Sequence, residues 1–281
     1  MTMVHTVRRA PWRIKACLAL IAAVLIVVIA STWWLPYGPN TTDLSSNNLP
    51  PALLGGGWDH PLGTDPLGRD LLSRTIFGLK VSVGVASIGI LVGCAVGVVA
   101  GLLSGYLGGF VDKVVMAAVD FQFAVPYTLM ILMGLVLLGT DIKVLIVMLG
   151  LAHWESYARV IRSLSLSLRV NQYVEAAEAA GASRWYVVSR HIFPNVLPTV
   201  VVMLTLYFPA ILTLESSLSF LGIGIQPPTA SLGKMVGEGR NYLITSWWIS
   251  LTPALVILVM ALVAQTVGDW LKSITDLPET V

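Results

Sequence analysis

Six long apolar runs restrict what this chain can fold into more than any other feature of its sequence. Each is about 20 residues long, the length that an α-helix needs to cross a hydrocarbon core of about 30 Å. A helix satisfies its own backbone hydrogen bonds, so it can cross lipid where an open strand cannot. We therefore predict an all-α membrane protein with six transmembrane helices, at Cys17–Pro36, Val83–Tyr106, Val114–Leu138, Ile142–Arg162, Leu197–Phe220 and Trp248–Asp269.

The low content of charged residues also favours membrane lipid as the surrounding solvent. Charged residues make up 11% of the chain, against about 25% in soluble domains. The formal net charge is only +2, which argues against nucleic acid as a partner. Basic residues precede the first run, as in a signal peptide, but this run is longer than the apolar region of a signal peptide. We therefore expect an uncleaved span.

The positions of the basic residues predict the orientation of the spans. With the N-terminus in the cytoplasm, most lysines and arginines fall in inner segments, as the positive-inside rule requires. The expected topology is therefore N-in and C-in. It divides the chain into a cytoplasmic N-terminus with the first span (1–37), an extracytoplasmic loop with an interfacial helix at Leu71–Val81 (38–82) and a five-helix core (83–281). The core contains a cytoplasmic loop (163–196).

Glycines and prolines predict the shape of individual spans. Glycine recurs every four residues along the second span, at Gly89, Gly93, Gly97, Gly101 and Gly105. Residues four apart share one helix face, and glycine leaves that face without side chains. We expect a neighbouring backbone to approach closely along this stripe. Proline within the third and fifth spans predicts kinks at Pro126 and Pro209.

The loop between the fourth and fifth spans has the pattern of two short helices. Glu175 lies in the first turn after a possible cap at Asn171, and Gly181 predicts a helix end with positive φ. Ser183 can cap a second helix, and Pro194 is expected to end it. Alanines give the first helix a thin surface, and the second carries an apolar stripe at Trp185, Val188 and Ile192. Such a pair can insert into a groove on a soluble partner.

The same loop carries a family resemblance. Glu175-Ala176-Ala177, then Gly181, then His191-Ile192-Phe193-Pro194 resembles the EAA motif of bacterial ABC importer permeases, although Phe193 stands where the family commonly has leucine. His60-Pro-Leu-Gly-Thr-Asp65 with Gly68-Arg69-Asp70, and Glu215-Ser-Ser-Leu-Ser-Phe220, resemble the C-type permease subunit of dipeptide and oligopeptide importers. The chain is therefore identified as a member of that branch by resemblance.

The resemblance implies a type I ABC importer permease fold in the bacterial cytoplasmic membrane. It implies four partners: a homologous second permease subunit, two ATPase subunits or domains, and an extracytoplasmic substrate-binding protein. The residues that it assigns to ATPase coupling are Glu175, Ala176, Ala177, Gly181, His191 and Pro194. No phosphate-binding G-x-x-x-x-G-K-[ST] motif occurs in the sequence, so we expect no enzymatic activity and no cofactor on this chain, with ATP and Mg on the partner subunits.

The resemblance leaves the transported substrate open. Short peptides are the favoured prediction for this branch. A nickel chelate, glutathione or an opine is the alternative. A less favoured class is an ion-coupled secondary transporter, but we find no mirrored halves in the chain. An intramembrane enzyme is also disfavoured, because no His-Glu-x-x-His motif or other clustered set of catalytic residues lies within the spans.

Three acidic residues lie at or inside the predicted spans, namely Asp120, Glu155 and Glu215. A carboxylate in lipid is costly, so these residues are candidates for the translocation path, with Glu215 favoured. The alternatives are an interfacial position for Asp120 and an intrahelical pair between Glu155 and Arg159. His60, Asp65 and Asp70 fit no standard set of metal ligands, so we predict a turn-rich outer loop there and no metal site.

Overall fold

A computed structural model describes residues 10–275, and the first nine residues of the predicted cytoplasmic N-terminus and the last six of the predicted core lie outside them. The described chain is almost entirely helical. Short 3₁₀ turns lie at Leu44–Ser46, Ala52–Leu54 and Arg240–Tyr242. The α-helices are α1 (Trp12–Ala30), α2 (Leu71–Leu107), α3 (Gly109–Ala124), α4 (Tyr127–Leu138), α5 (Ile142–Leu151), α6 (Trp154–Arg169), α7 (Gln172–Ala179), α8 (Arg184–Val187), α9 (Phe193–Phe220), α10 (Leu232–Gly239) and α11 (Trp248–Thr275).

Five helical stretches within residues 10–275 are long and apolar enough to cross a membrane, and a bent pair of helices raises the number to six. The stretches are α1, α2, α5 with α6, α8 with α9, and α11. The bent pair is α3 with α4, whose axes meet at 94°. These six units correspond in order to the six predicted spans. The third is a broken helix, where the sequence predicted a kinked one.

Pro126 explains the break between α3 and α4. Proline disfavours the helical region for the preceding residue, and Val125 is extended, with φ −111° and ψ 130°. Pro209 behaves differently, because α9 continues through it without interruption. A proline kink requires the neighbouring turn to open, and the helix around Pro209 is buried against other helices. Of the two predicted kinks, only that at Pro126 becomes a sharp bend.

The residues predicted as an interfacial helix, Leu71–Val81, are part of α2. This helix runs through 37 residues without a break, so the outer loop ends at Asp70 and not at residue 82. Asp70 is its N-cap and accepts a hydrogen bond from the backbone N–H of Ser73 at 2.7 Å. We predicted an interfacial helix separate from the second span because residues 71–81 are more polar than the residues that follow. A helix can continue through a polar stretch, and α2 does so.

The sequence predicted that Pro194 ends the second short helix, but the structure shows that the helix continues through Pro194. A π turn at Val188–Ile192 connects α8 directly to α9, and Pro194 lies in the first turn of α9. Proline lacks an N–H, and the first turn of a helix leaves its N–H groups without helical partners. The π turn widens the backbone just before it. The chain can therefore pass from the coupling loop into the fifth span as one bent helix.

The glycine stripe of α2 faces α5 and α6. A Cβ built on Gly93 would lie 2.3 Å from the carbonyl oxygen of Gly150, and one on Gly97 would lie 2.3 Å from that of Trp154. On Gly101, the Cβ would lie 2.6 Å from the carbonyl oxygen of Ala158. Side chains on this face would hold the backbones apart. The missing side chains therefore let α2 and α6 pack as one rigid pair.

The bundle has two distinct ends, which we name from the predicted topology. At the outer end, Leu71, Met235, Trp248 and Ile249 form a small apolar cluster where α2, α10 and α11 meet. Lys80 there donates to the hydroxyl of Thr32, just after α1, at 2.9 Å. The opposite end holds the end of α2, the end of α6 and the two short helices α7 and α8. We call it the coupling end.

Candidate functional site

The coupling segment, residues 171–194, leaves the bundle as a helix, a glycine turn and a second helix. Gly181 has φ +85°, a left-handed value that glycine adopts without strain. The Ser183 hydroxyl accepts a hydrogen bond from the backbone N–H of Tyr186 at 3.3 Å, so it caps α8. A Cβ on Gly181 would meet no atom of the chain within 4 Å. The turn at Gly181 is therefore an open surface on one side.

The coupling segment presents aromatic side chains to its surroundings. Trp185 is 78% exposed and Tyr186 is 51% exposed, whereas Val187 and Ile192 are fully buried. The predicted stripe of Trp185, Val188 and Ile192 is thus not a single face, because the π turn inserts an extra residue between its members. An exposed tryptophan on a short helix is typical of an interface residue. Glu175 and Ala176 are exposed on the same segment.

One hydrogen bond attaches the coupling segment to the bundle, and a group of aromatic rings holds the segment together. The Tyr106 hydroxyl, at the end of α2, donates to Oε1 of Glu178 in α7 at 2.7 Å. The His191 ring lies between those of Tyr173 and Tyr186, with centroid distances of 6.0 and 5.7 Å. His191 therefore joins α7 to the π turn that leads into α9. The sequence pattern did not predict this contact, because Tyr106 and Glu178 are 72 residues apart.

An ion pair fixes the inner ends of α3 and α6. The Arg162 guanidinium binds both carboxylate oxygens of Asp112, with Nη2 donating to Oδ2 at 2.7 Å. The Ser104 hydroxyl of α2 donates to the same carboxylate. Bidentate arginine–carboxylate pairs are directional as well as strong. Three helices are thus joined just above the coupling segment.

The predicted path residue Asp120 lies on an exposed face of α3. It pairs with Arg159 of α6 at 3.0 Å, and both side chains are more than half exposed. The predicted pair between Glu155 and Arg159 is therefore not formed, because Arg159 turns toward Asp120 and stacks on the ring of Phe123. Charged side chains that are exposed on a spanning helix are unfavourable in lipid. We therefore expect this face to contact a partner subunit or an aqueous path.

Glu155 lies in a cavity beside that face. Its carboxylate accepts hydrogen bonds from Nε2 of Gln122 at 2.8 Å and from the Ser156 hydroxyl at 3.2 Å. Gln122 also donates to the carbonyl oxygen of Leu151 at 2.6 Å, so it links the broken third span to the end of α5. The cavity, of about 380 Å³, is lined by Gln122, Phe123, Val125, Pro126, Tyr127, Ala152, His153, Glu155, Ser156 and Tyr207.

The third candidate, Glu215, is not on an open path in this chain. Its side chain is completely buried, and it accepts a hydrogen bond from the Ser219 hydroxyl at 2.7 Å. The hydroxyls of Ser82 and Ser231 lie close to its carboxyl group. These serines belong to α2 and to the cap of α10. Glu215 therefore joins three helices, and its role in the described structure is packing.

The outer loop folds as the predicted set of turns and carries an ion-pair cluster. Asp65 accepts hydrogen bonds from the backbone N–H groups of Leu67 and Arg69 at 2.9 and 3.0 Å. Arg69 and Arg74 both bind Glu238 of α10, at 3.2 and 2.9 Å. Burial lowers the pKa of Lys234 in the same helix. These arginines close the outer end by attaching the loop to α10.

The family match covers the part of the chain that contains this geometry. Residues 97–276 match the family described as binding-protein-dependent transport system inner membrane component. The match begins at the glycine stripe and includes the coupling segment, the Glu155 cavity and α11. The chain belongs to this family. It is the inner-membrane permease component of an ABC importer.

Similar proteins cover nearly the whole permease. A putative peptide transport system permease of Brucella suis is 34% identical, over 98% of this chain and 90% of that protein. The nickel transport system permease NikC of Escherichia coli K12 is also 34% identical, over 94% of both chains. The dipeptide transport system permease DppC of Bacillus subtilis is 32% identical, over 93% of this chain and 80% of that protein.

Solved ABC transporters have a similar fold. A chain of the MetNI methionine ABC transporter in an inward-facing conformation aligns with a TM-score of 0.54 at 19% identity, over 72% of this permease and 95% of that chain. An amino acid ABC transporter crystallised with histidines gives a TM-score of 0.53 at 16% identity, over 71% and 92%. These similarities support the predicted permease fold at the level of architecture.

Proposed function

We propose that this permease forms one half of a translocation path for short peptides and that ATPase subunits drive it through the coupling segment. The assembly would contain a homologous second permease subunit, two ATPase subunits and an extracytoplasmic binding protein. ATP and Mg would be bound by the ATPases. The observation that carries this proposal is the coupling segment, whose open glycine turn and exposed aromatic side chains have no partner surface within the described chain.

The geometry of the coupling segment supports ATPase docking. Interfaces are enriched in exposed tryptophan and tyrosine, and energetic hot spots are commonly of these types. Trp185 and Tyr186 fit this description, and Gly181 allows a partner to approach the backbone. Movement of a bound ATPase would act on α2 through Glu178 and Tyr106, and on α9 through the π turn.

Peptides are the substrate that we favour, because peptide transport is named for several similar permeases. Nickel is the second candidate, since NikC is as similar to this chain as the Brucella protein is. Substrate choice also depends on the binding protein, which is a separate chain in such systems.

Uptake by the reconstituted transporter tests the proposal. The permease would be co-expressed with its neighbouring permease and ATPase genes, purified and placed in proteoliposomes with the binding protein. We expect uptake of radiolabelled dialanine that requires both ATP and the binding protein. Uptake of ⁶³Ni²⁺ without dialanine uptake would favour the second candidate. Uptake that persists without any ATPase would contradict the coupling proposal.

A further inference from the structure

The cavity around Glu155 lies where two breaks in the helices meet. The third span breaks at Val125–Pro126, and α5 and α6 are separated at Ala152–His153. The Gln122 side chain connects the two breaks through its bond to the carbonyl oxygen of Leu151. Ligand pockets commonly have volumes of about 300–1,000 Å³, and this cavity, of about 380 Å³, lies in that range. Broken spanning helices are tolerated where they line such a cavity.

In the described chain, Glu155 forms no ion pair with a basic side chain, because Arg159, four residues further along α6, is paired with Asp120. Its side chain lines the cavity, the residue is only 5% exposed, and no ion pair to it forms within residues 10–275. Two neutral donors, on Gln122 and Ser156, bind its oxygens. A carboxylate can accept about four hydrogen bonds, so about two acceptor positions remain. A buried carboxylate without a cation is costly, and a cationic ligand would relieve that cost.

Aromatic rings form one wall of the same cavity. The His153 ring lies 5.4 Å from that of Tyr127 and 5.2 Å from that of Tyr207, measured between centroids. Aromatic faces attract ammonium groups within about 6 Å of the ring centre. A carboxylate beside such rings therefore offers a hydrogen-bond acceptor and apolar, cation-tolerant surface together. Glu155 also lies in the first turn of α6, which alone would explain an acidic residue there. A position in the first turn of α6 does not explain why Glu155 lies in a cavity beside aromatic rings.

We propose that this cavity binds the primary ammonium group of a substrate as it crosses the membrane. The carboxylate of Glu155 would accept hydrogen bonds from that group, and the rings of Tyr127 and Tyr207 would contact the substrate carbon atoms next to it. An ammonium group has three donors, which suits the open acceptor positions of Glu155. This inference rests on the proposed peptide function, because the N-terminus of a peptide supplies such a group.

A cysteine reporter in the complete transporter tests the inference. Cys17 and Cys94 would be replaced by serine and alanine, and Val125, which lines the cavity, by cysteine. The modification rates by a cationic and a neutral methanethiosulfonate would be compared. A carboxylate in the same cavity attracts a cation at an effective dielectric of about 20, and after salt screening we expect about a tenfold preference for the cationic reagent. Glu155→Gln should abolish this preference, and Glu155→Asp should retain it.

Protection by ligands identifies the chemical group. Dialanine should slow modification of the Val125→Cys reporter at least threefold, and N-acetyl-dialanine should not. Both effects should persist in Asp59→Asn, which removes one exposed carboxylate from the outer loop. Equal protection by both peptides, or an unchanged cation preference in Glu155→Gln, would overturn the inference. Failure of the proposed function can be distinguished from failure of this inference, because the unmodified transporter would then show no ATP-dependent peptide uptake.

Discussion

A bulky residue at Gly181 should disrupt ATPase docking while leaving the permease folded. The φ of +85° makes any other residue strained, by about 1–2 kcal/mol. No atom of the chain lies within 4 Å of a Cβ at this position, so tryptophan should cost the isolated permease no more than alanine does. Any additional loss in Gly181→Trp must therefore come from a partner. A steric clash of at least about 2.8 kcal/mol would weaken docking about 100-fold.

Gly139 offers a matched control for this substitution. It also has a positive φ, +92°, and open space around its Cβ position, but it lies at the end of α4, away from the coupling segment. Alanine and tryptophan would be placed at both positions, and thermal unfolding would be measured together with ATPase affinity in nanodiscs. We expect similar melting temperatures in all four variants and a large loss of affinity in Gly181→Trp alone.

Two results would refute this reasoning. If Gly181→Trp and Gly139→Trp bound the ATPase equally well, the glycine turn would not contact the partner. If Gly181→Trp melted far below Gly181→Ala, the space around Gly181 would not be open, and loss of docking would reflect misfolding. The comparison with alanine separates strain from contact because both residues carry the same φ penalty.

Three further substitutions test the packing and the exposed surface. Gly97→Ala should destabilise the permease by about 1–3 kcal/mol in a thermal melt, since its Cβ would lie 2.3 Å from a backbone oxygen, whereas Gly84→Ala, with nothing within 4 Å, should be neutral. Glu215→Ala should lower stability by about 1–3 kcal/mol by leaving buried serine hydroxyls unpaired, and normal stability would contradict the packing role. Trp185→Ala should weaken ATPase binding at least tenfold without changing the melting temperature, because the side chain is 78% exposed; an unchanged affinity would exclude it from the interface.

The sequence predicts those structural features that depend on a single helix or turn. The spacing of glycines along the second span indicated a closely packed face, and the motif around Gly181 indicated a turn with positive φ. Pairings between distant segments could not be read, because periodicity carries no information about which helices meet. Gln122 and Glu155 are 33 residues apart, and their hydrogen bond forms because α3 and α6 pack together. The hydrogen bonds of Glu215 to Ser216 and Ser219 lie within one helix, whereas its complete burial depends on which helices pack around it.

The described contacts explain how movement at the coupling segment could reach the Glu155 cavity. The helix α6 begins with Trp154 and Glu155 at the cavity and ends with Arg169 near the coupling segment. The glycine stripe fixes α2 against this helix, and α2 holds the coupling segment through Tyr106. These two helices are therefore closely packed, and the 94° break between α3 and α4 lies beside the same cavity. A displacement of α6 relative to α4 would change the cavity, because Glu155 lies on α6 and Tyr127 lies beyond the break, on α4.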